Sequence, residues 1–254
     1  MGGEHLRVVE VFKSIQGEGP DAGKPTTFIR LFGCNRKCPF CDSVFARKGK
    51  YTEMTAKELF CKVKEMNEGN EVIRICITGG EPLLQYKQIS EFFTEIHWNE
   101  GEEMYFVSIE TNGDLLKGKI KKEVADWYRY FSLDKIVVSP KSYETCKRIL
   151  TYIKKYTFPP EPLHLKIIYD GGLKHLPKDF ERIIESLKRS EGFRAFIYVM
   201  PLTTGNTRID RKIKQKTWEF CVKYNYKYSP RLQVDVWGVK KRGVEQVKGY
   251  GQFE

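Results

Sequence analysis

A chain of 254 residues, 41% of them hydrophobic, is long enough to bury a core as one large domain or two small ones. No run reaches the roughly 18 apolar residues of a membrane span, and no secretory pattern opens the chain, so its seven cysteines suggest a reducing cytoplasm rather than a disulfide scaffold. Lys and Arg (44) outnumber Asp and Glu (33) for a net charge of +11, but the lysines interleave with glutamates, as in Lys57-Glu58 and Lys62-Val63-Lys64-Glu65. A solvated helix surface explains that pattern more simply than a phosphate-binding face, so no stable nucleic-acid partner is expected.

In chain order, Leu6 to Phe12 reads as a short strand entering Ser14-Ile15-Gln16-Gly17-Glu18-Gly19-Pro20. Two glycines around a glutamate, followed by proline, predict an ordered turn rather than a helix. Its amides, with Gln16 and Glu18, offer donors and acceptors to a flat polar ligand, although a plain connecting loop is the simpler reading of the turn alone. Thr27 to Phe32 is an apolar, strand-like run with Arg30 in its middle, where a guanidinium fork suits a carboxylate.

That strand delivers Gly33-Cys34-Asn35-Arg36-Lys37-Cys38-Pro39-Phe40-Cys41-Asp42, with its cysteines spaced Cys-x3-Cys-x2-Cys. Three thiolates hold three corners of a cubic iron–sulfur cluster, where four are the usual set, and leave one iron open to a small molecule. Zinc would want a fourth thiolate or imidazole nearby, and no histidine lies between His5 and His97. An odd, clustered set of cysteines also fits disulfides poorly.

Thr55 to Met66 has helical spacing, with Leu59, Val63 and Met66 on one face and Glu58 placed to close a capping box with Thr55. Cys61 is expected to pack there as a small buried hydrophobe, and Cys76, Cys146 and Cys221 read as structural. Val72 to Ile77 is a β-branched strand ending in Thr78-Gly79-Gly80-Glu81-Pro82, followed by a helix from about Lys87 to His97. The paired glycines permit close backbone approach to a ligand at the end of the strand where α/β sheets bind.

Further strands at Tyr105–Ile109, Lys135–Val138, Leu163–Tyr169 and Phe193–Val199 end in Glu110-Thr111-Asn112-Gly113, Ser139-Pro140-Lys141, Asp170-Gly171-Gly172 and Met200-Pro201-Leu202-Thr203. Helical stretches fall around 142–156, 178–190 and from Asp210 to about Tyr224. Alternation at intervals of roughly 25–35 residues predicts right-handed βαβ units and a parallel sheet. Without a Gly-x-Gly-x-x-Gly, an α/β partial (β/α)6 barrel with its chemistry at one rim is expected, its helix number open to reduction. No composition break appears, so residues 1–254 read as a single domain with a core of about 8–238 and a mobile tail rich in lysine and glycine.

The cysteine spacing and its open corner resemble the radical S-adenosylmethionine (SAM) superfamily. The ordered set Ser14–Gly19, Phe28-Ile29-Arg30, Gly33-Cys34-Asn35, Cys41-Asp42-Ser43, Thr78–Pro82, Glu110–Gly113 and Ser139–Lys141 is similar to the 7-carboxy-7-deazaguanine synthases, from about Val8 to Gly238. The Gln-Gly-Glu-Gly turn is the discriminating part of that resemblance. It implies a lyase converting 6-carboxy-5,6,7,8-tetrahydropterin to 7-carboxy-7-deazaguanine with loss of ammonia, toward queuosine or archaeosine in tRNA.

The resemblance further implies a [4Fe-4S] cluster on Cys34, Cys38 and Cys41, with SAM and Mg2+ as the other cofactors. SAM would meet Phe40, Asp42, Gly80, Glu110, Ser139, Pro140, Lys141, Met200 and Pro201. The pterin would meet Ile15, Gln16, Gly17, Arg30 and Thr78. Ser43 stands where the family usually has threonine and keeps the hydroxyl for Mg2+. Gln233 stands where the family often has histidine. A flavodoxin or ferredoxin reductant and a homodimer in the cytoplasm are the implied partners and setting. The alternatives are a glycyl-radical-enzyme activase and a metal-bearing RNA-binding module whose Lys154-Lys155-Tyr156 and Tyr224–Tyr228 would stack bases.

Overall fold

The computed structural model describes residues 5–99, 101, 103–155, 163–189 and 196–238. The expected tail beyond Gly238, Tyr156 and the first three residues of the strand read at Phe193 lie outside them. Among the described residues the chain divides into two compact units: the first takes in those up to Ser14 and Pro25–Ile136, the second Ile15–Lys24 and those from Val137 to Gly238.

In the first unit, β1 (Leu6–Ile15) pairs antiparallel with a short edge strand, β3 (Thr52–Met54). Next come β2 (Pro25–Leu31), β4 (Val72–Gly79), β5 (Met104–Thr111) and β6 (Leu133–Val138), in the order β3-β1-β2-β4-β5-β6. The β2–β4 and β4–β5 pairs are parallel, in register Arg30 to Thr78 and Cys76 to Ser108. Parallel strands need crossovers, which are supplied here by α2 (Ala56–Glu65), α3 (Tyr86–Trp98) and α4 (Gly118–Tyr130), after a single-turn α1 (Phe45–Lys48). The central strands are buried on both faces: Ile75, Ile77, Val107 and Ile109 on one have almost no exposed surface, and Cys76 and Ser108 on the other are buried too. Each of those isoleucine and valine side chains contributes about 1.5–3 kcal/mol on burial.

The capping box of α2 forms as expected, Thr55 accepting from the Glu58 amide and Glu58 from the Thr55 amide. Cys61 is exposed, not buried. Leu59, Phe60 and Val63 hold the inward face of α2, and at 100° per residue position 61 points nearly opposite to them. Cys76, Cys146 and Cys221 are buried, and no cysteine of the chain is in a disulfide.

In the second unit, β7 (Leu163–Tyr169), β8 (Ile197–Pro201) and β9 (Lys227–Tyr228) are parallel neighbours. They are accompanied by α5 (Tyr143–Lys155), α6 (Lys178–Lys188), α7 (Thr207–Tyr224) and α8 (Leu232–Trp237). Phe180, Ile183 and Leu187 of α6 and Ile213 and Phe220 of α7 are buried with Leu165, Ile167 and Val199. The turn after Gly17 closes as one turn of 3-10 helix, Gly19–Asp21, because proline at its first positions presets the backbone dihedral. No helix among the described residues is long and apolar enough to cross a membrane.

Candidate active site

The first unit gathers the cysteine loop against the ends of β4 and β5. Gly80 donates its amide to Leu31 O at 3.1 Å, and Glu81 donates to Gly33 O at 2.7 Å. A Cβ on Gly79, at φ +134°, would lie 2.2 Å from Leu31 O; one on Gly80 would lie 2.0 Å from Gly33 O and 3.0 Å from Cys34 Cβ. The backbone that the paired glycines admit here is therefore that of the end of β2 and the start of the cysteine loop, a reason for them that the ligand-approach reading did not contain.

Glu81 follows with a fully buried carboxylate. Its Oε1 accepts from Thr111 Oγ1 (2.6 Å) and the Leu83 amide (3.1 Å), and its Oε2 from the Asn112 amide (2.8 Å). Burial pushes the Glu81 carboxyl up, and the three donors only partly offset it. Asn112 in turn donates to Asn35 Oδ1 at 2.8 Å, and Arg36 makes a two-armed ion pair with Asp114, one arm 2.9 Å from Nη2 to Oδ1. Both loop residues between Cys34 and Lys37 are thus tied to the turn after β5.

Cys34 and Cys38 are partly exposed and Cys41 is exposed. The Arg36 amide donates to Cys34 Sγ at 3.4 Å, the kind of N–H···S bond that tunes cluster thiolates. Burial pushes the Cys34 thiol up, and Glu81 and the other two thiols add to that, so a positive centre is needed to draw three thiolates together. Among the described residues no three Cys, His, Asp or Glu side chains converge to hold a single metal ion. A cubane takes each thiolate on a separate iron, so three accessible thiols on one braced loop, none of them in a disulfide, fit a cluster and not a single zinc.

Nearby, Arg30 donates from Nε to Glu10 Oε1 at 2.6 Å, and its Nη1 lies 3.4 Å from Ser43 Oγ. It is a partly buried ion pair rather than a surface one. Ser43 donates to Asp42 Oδ1 at 3.1 Å, and Thr78 to Glu110 Oε2 at 3.3 Å. Phe40 is half-buried and Asp42 exposed.

The second unit assembles its own polar cluster around the Gln-Gly-Glu-Gly turn. Glu18 accepts from Lys166 (2.8 Å), Arg231 (3.0 Å) and Gln233 (2.7 Å). Burial alone would raise the Glu18 carboxyl, but Lys166 and Arg231, with the bonds from Lys166 and Gln233, together hold it well below the usual carboxylate range. Gly19 donates to Ser229 Oγ at 2.9 Å and Leu232 to Gly17 O at 3.1 Å. A Cβ on Gly17 would lie 1.7 Å from Gln233 Oε1, so any larger residue there would require the Gln233 amide to move. Gln16 is buried, its Oε1 accepting from the Glu18 amide, while Ile15 is exposed. Lys141 donates to Ser139 Oγ at 2.6 Å, Pro140 is buried, and Met200 and Pro201 are buried at the end of β8.

The partners Glu10, Asp114 and Lys166 were missed from sequence. Lys166 alone carried a signal: a lysine within the buried run Leu163–Tyr169 requires a carboxylate.

The family model of the radical SAM superfamily matches residues 28–212 of this chain, and the chain belongs to that superfamily. Its cofactors are accordingly a [4Fe-4S] cluster and SAM. Within the superfamily it belongs with the 7-carboxy-7-deazaguanine synthases: the protein of that name from Hyperthermus butylicus is 32% identical over 249 residues, 90% of this chain and 92% of that one. The one from Methanospirillum hungatei is 40% identical over 112 residues, a match spanning 42% of each chain, less than half the relative's length. The crystal structure of QueE from Escherichia coli superposes with a TM-score of 0.56 at 20% identity, covering 89% of this chain and 93% of that one. At that identity the likeness shows a shared fold, the α/β partial barrel.

Proposed function

We propose that this chain is a radical SAM carbon–nitrogen lyase converting 6-carboxy-5,6,7,8-tetrahydropterin to 7-carboxy-7-deazaguanine with loss of ammonia, in the biosynthesis of deazapurine-modified tRNA nucleosides. The observation that carries the reading is the cysteine loop braced through Gly80, Glu81, Asn112 and Asp114 in a chain related nearly end to end to a protein of that name. The same relationship supports the synthase over the activase.

Cys34, Cys38 and Cys41 would hold the cluster. Phe40, Asp42, Gly80, Glu110, Ser139, Pro140, Lys141, Met200 and Pro201 would hold SAM. When bound, these two cofactors supply the one-electron chemistry that removes a hydrogen atom from the substrate. Arg30 presents a fork to the pterin carboxylate, Ser43 a hydroxyl to Mg2+, and Gln16, Gly17, Ile15 and Thr78 the remaining polar and apolar edges. Glu18, saturated by Lys166, Arg231 and Gln233, holds the turn that carries Gln16 and Gly17. The family model runs through both units, which supports their working as one domain. A flavodoxin or ferredoxin as electron donor, a homodimer and a cytoplasmic setting complete the proposal, the last supported by seven cysteines of which none is in a disulfide.

Anaerobic turnover of the reconstituted protein with SAM, dithionite, Mg2+ and the carboxylated pterin, read by mass spectrometry, tests this. Deazaguanine acid formed without net loss of SAM is the expected result. SAM cleavage without that product would retain the superfamily chemistry and overturn the substrate.

A further inference from the structure

We propose that Glu10 is a positioning residue that aims Arg30 at the carboxylate of the substrate; this rests on the reading of Arg30 given above. A guanidinium has two forks, one through Nε and one across its terminal nitrogens. Glu10 takes Nε at 2.6 Å, and the two side chains are only 14% and 9% exposed, Arg30 first.

The plane of the guanidinium is restrained as well. Its carbon lies 5.8 Å from the ring centroid of Phe12 and 5.4 Å from that of Phe45, within the range of a cation over an aromatic face. Phe12 is itself stacked on Phe28 at 5.0 Å. Phe12 follows Glu10 by two residues and Arg30 follows Phe28 by two, so each strand sends its aromatic and its charge to the same face.

What remains is the terminal fork. Nη1 reaches Ser43 Oγ at a long 3.4 Å, and Nη2 donates to no atom of the described residues. The unspent donors thus lie beside the Ser43 hydroxyl. A carboxylate there meets a fork whose rotamer is already chosen, so binding does not have to freeze a free arginine. Glu10 contributes by acceptor position rather than by touching the ligand. A carboxylate that merely neutralised Arg30 would do so through charge.

Those two roles separate in a substitution series. Glu10→Gln keeps an acceptor oxygen in place and loses the charge; Glu10→Asp keeps the charge and withdraws the acceptor by one methylene. Binding is measured by anaerobic calorimetry on the reconstituted holoenzyme with SAM, for 6-carboxy-5,6,7,8-tetrahydropterin and for the tetrahydropterin lacking the carboxylate. The readout is the ratio of the two dissociation constants, which a general loss of stability leaves unmoved.

The expected result is a preference for the carboxylated pterin that falls about tenfold in Glu10→Asp and Glu10→Ala. Glu10→Gln should stay within about threefold of wild type. Arg30→Lys, which lacks the fork, is the control and should abolish the preference. If it does so while Glu10→Asp leaves the ratio intact, the positioning role is overturned and the Arg30 reading stands. A deep loss in Glu10→Gln overturns positioning by acceptor placement, and with the ratio kept in Glu10→Asp it assigns the role to charge. No preference in wild type, or none lost in Arg30→Lys, overturns the Arg30 reading itself. Should Glu10→Ala fail to fold, the Asp and Gln variants decide.

Discussion

Glu81 spends its carboxylate on three protein donors at the ends of β4 and β5. Its raised pKa has a defined sign: the stability linked to it is full below the ordinary carboxylate pKa and is lost as pH rises through the higher folded value. At neutral pH its worth is therefore as an acceptor. Glu81→Gln turns an N–H2 toward one of those donors, and is expected to cost about 1–3 kcal/mol in urea denaturation despite removing a buried charge. Cys41 makes the opposite case, being exposed and outside the packed core. Cys41→Ala should abolish the brown cluster absorption after reconstitution and leave far-UV circular dichroism unchanged; a retained cluster would remove Cys41 from the ligand set. At this scale the thiol spacing was legible because it is local, and the wrong side of α2 for Cys61 was a matter of one helical angle.

Between elements, the Gln-Gly-Glu-Gly turn is held by residues from β7 and the start of α8. The lowered pKa of Glu18 means that its contribution is complete above the ordinary carboxylate pKa and is lost as pH falls through the folded value. Glu18→Gln is expected to cost about 3 kcal/mol at neutral pH. Urea midpoints measured from about pH 5 downward should fall less steeply for the variant than for wild type; parallel slopes would show that Glu18 does not carry the acid sensitivity. Elements with a strong period were readable from sequence, α2 with its capping box above all. Others were not. α4 starts without a side-chain cap and buries only Val124 and Trp127, α8 buries nothing, and β3 is a three-residue edge. α8 and β3 lack the apolar stripe or alternation that marks an element locally, whereas α4 carries one in Ile120, Val124 and Trp127 and lacks only the cap that would mark its start.

Across the whole molecule, the division into two units falls inside β6, and the family model spans both. Calorimetric unfolding of the chain is expected to give one transition, with calorimetric and van't Hoff enthalpies in agreement. Two resolved transitions would make the units independent domains. The sequence by itself determined the spacing of the cysteine loop, the parallel α/β alternation and the family, because spacing, period and turn chemistry are properties of neighbouring residues. Only the tertiary structure decided which charges meet. Arg30 finds Glu10 at a separation of 20 residues, Arg36 finds Asp114 at 78, and Glu18 finds Lys166 at 148 and Arg231 at 213. Partner choice at such distances depends on which strand ends the fold brings together. With 44 basic and 33 acidic side chains to choose among, composition and periodicity carry no record of it.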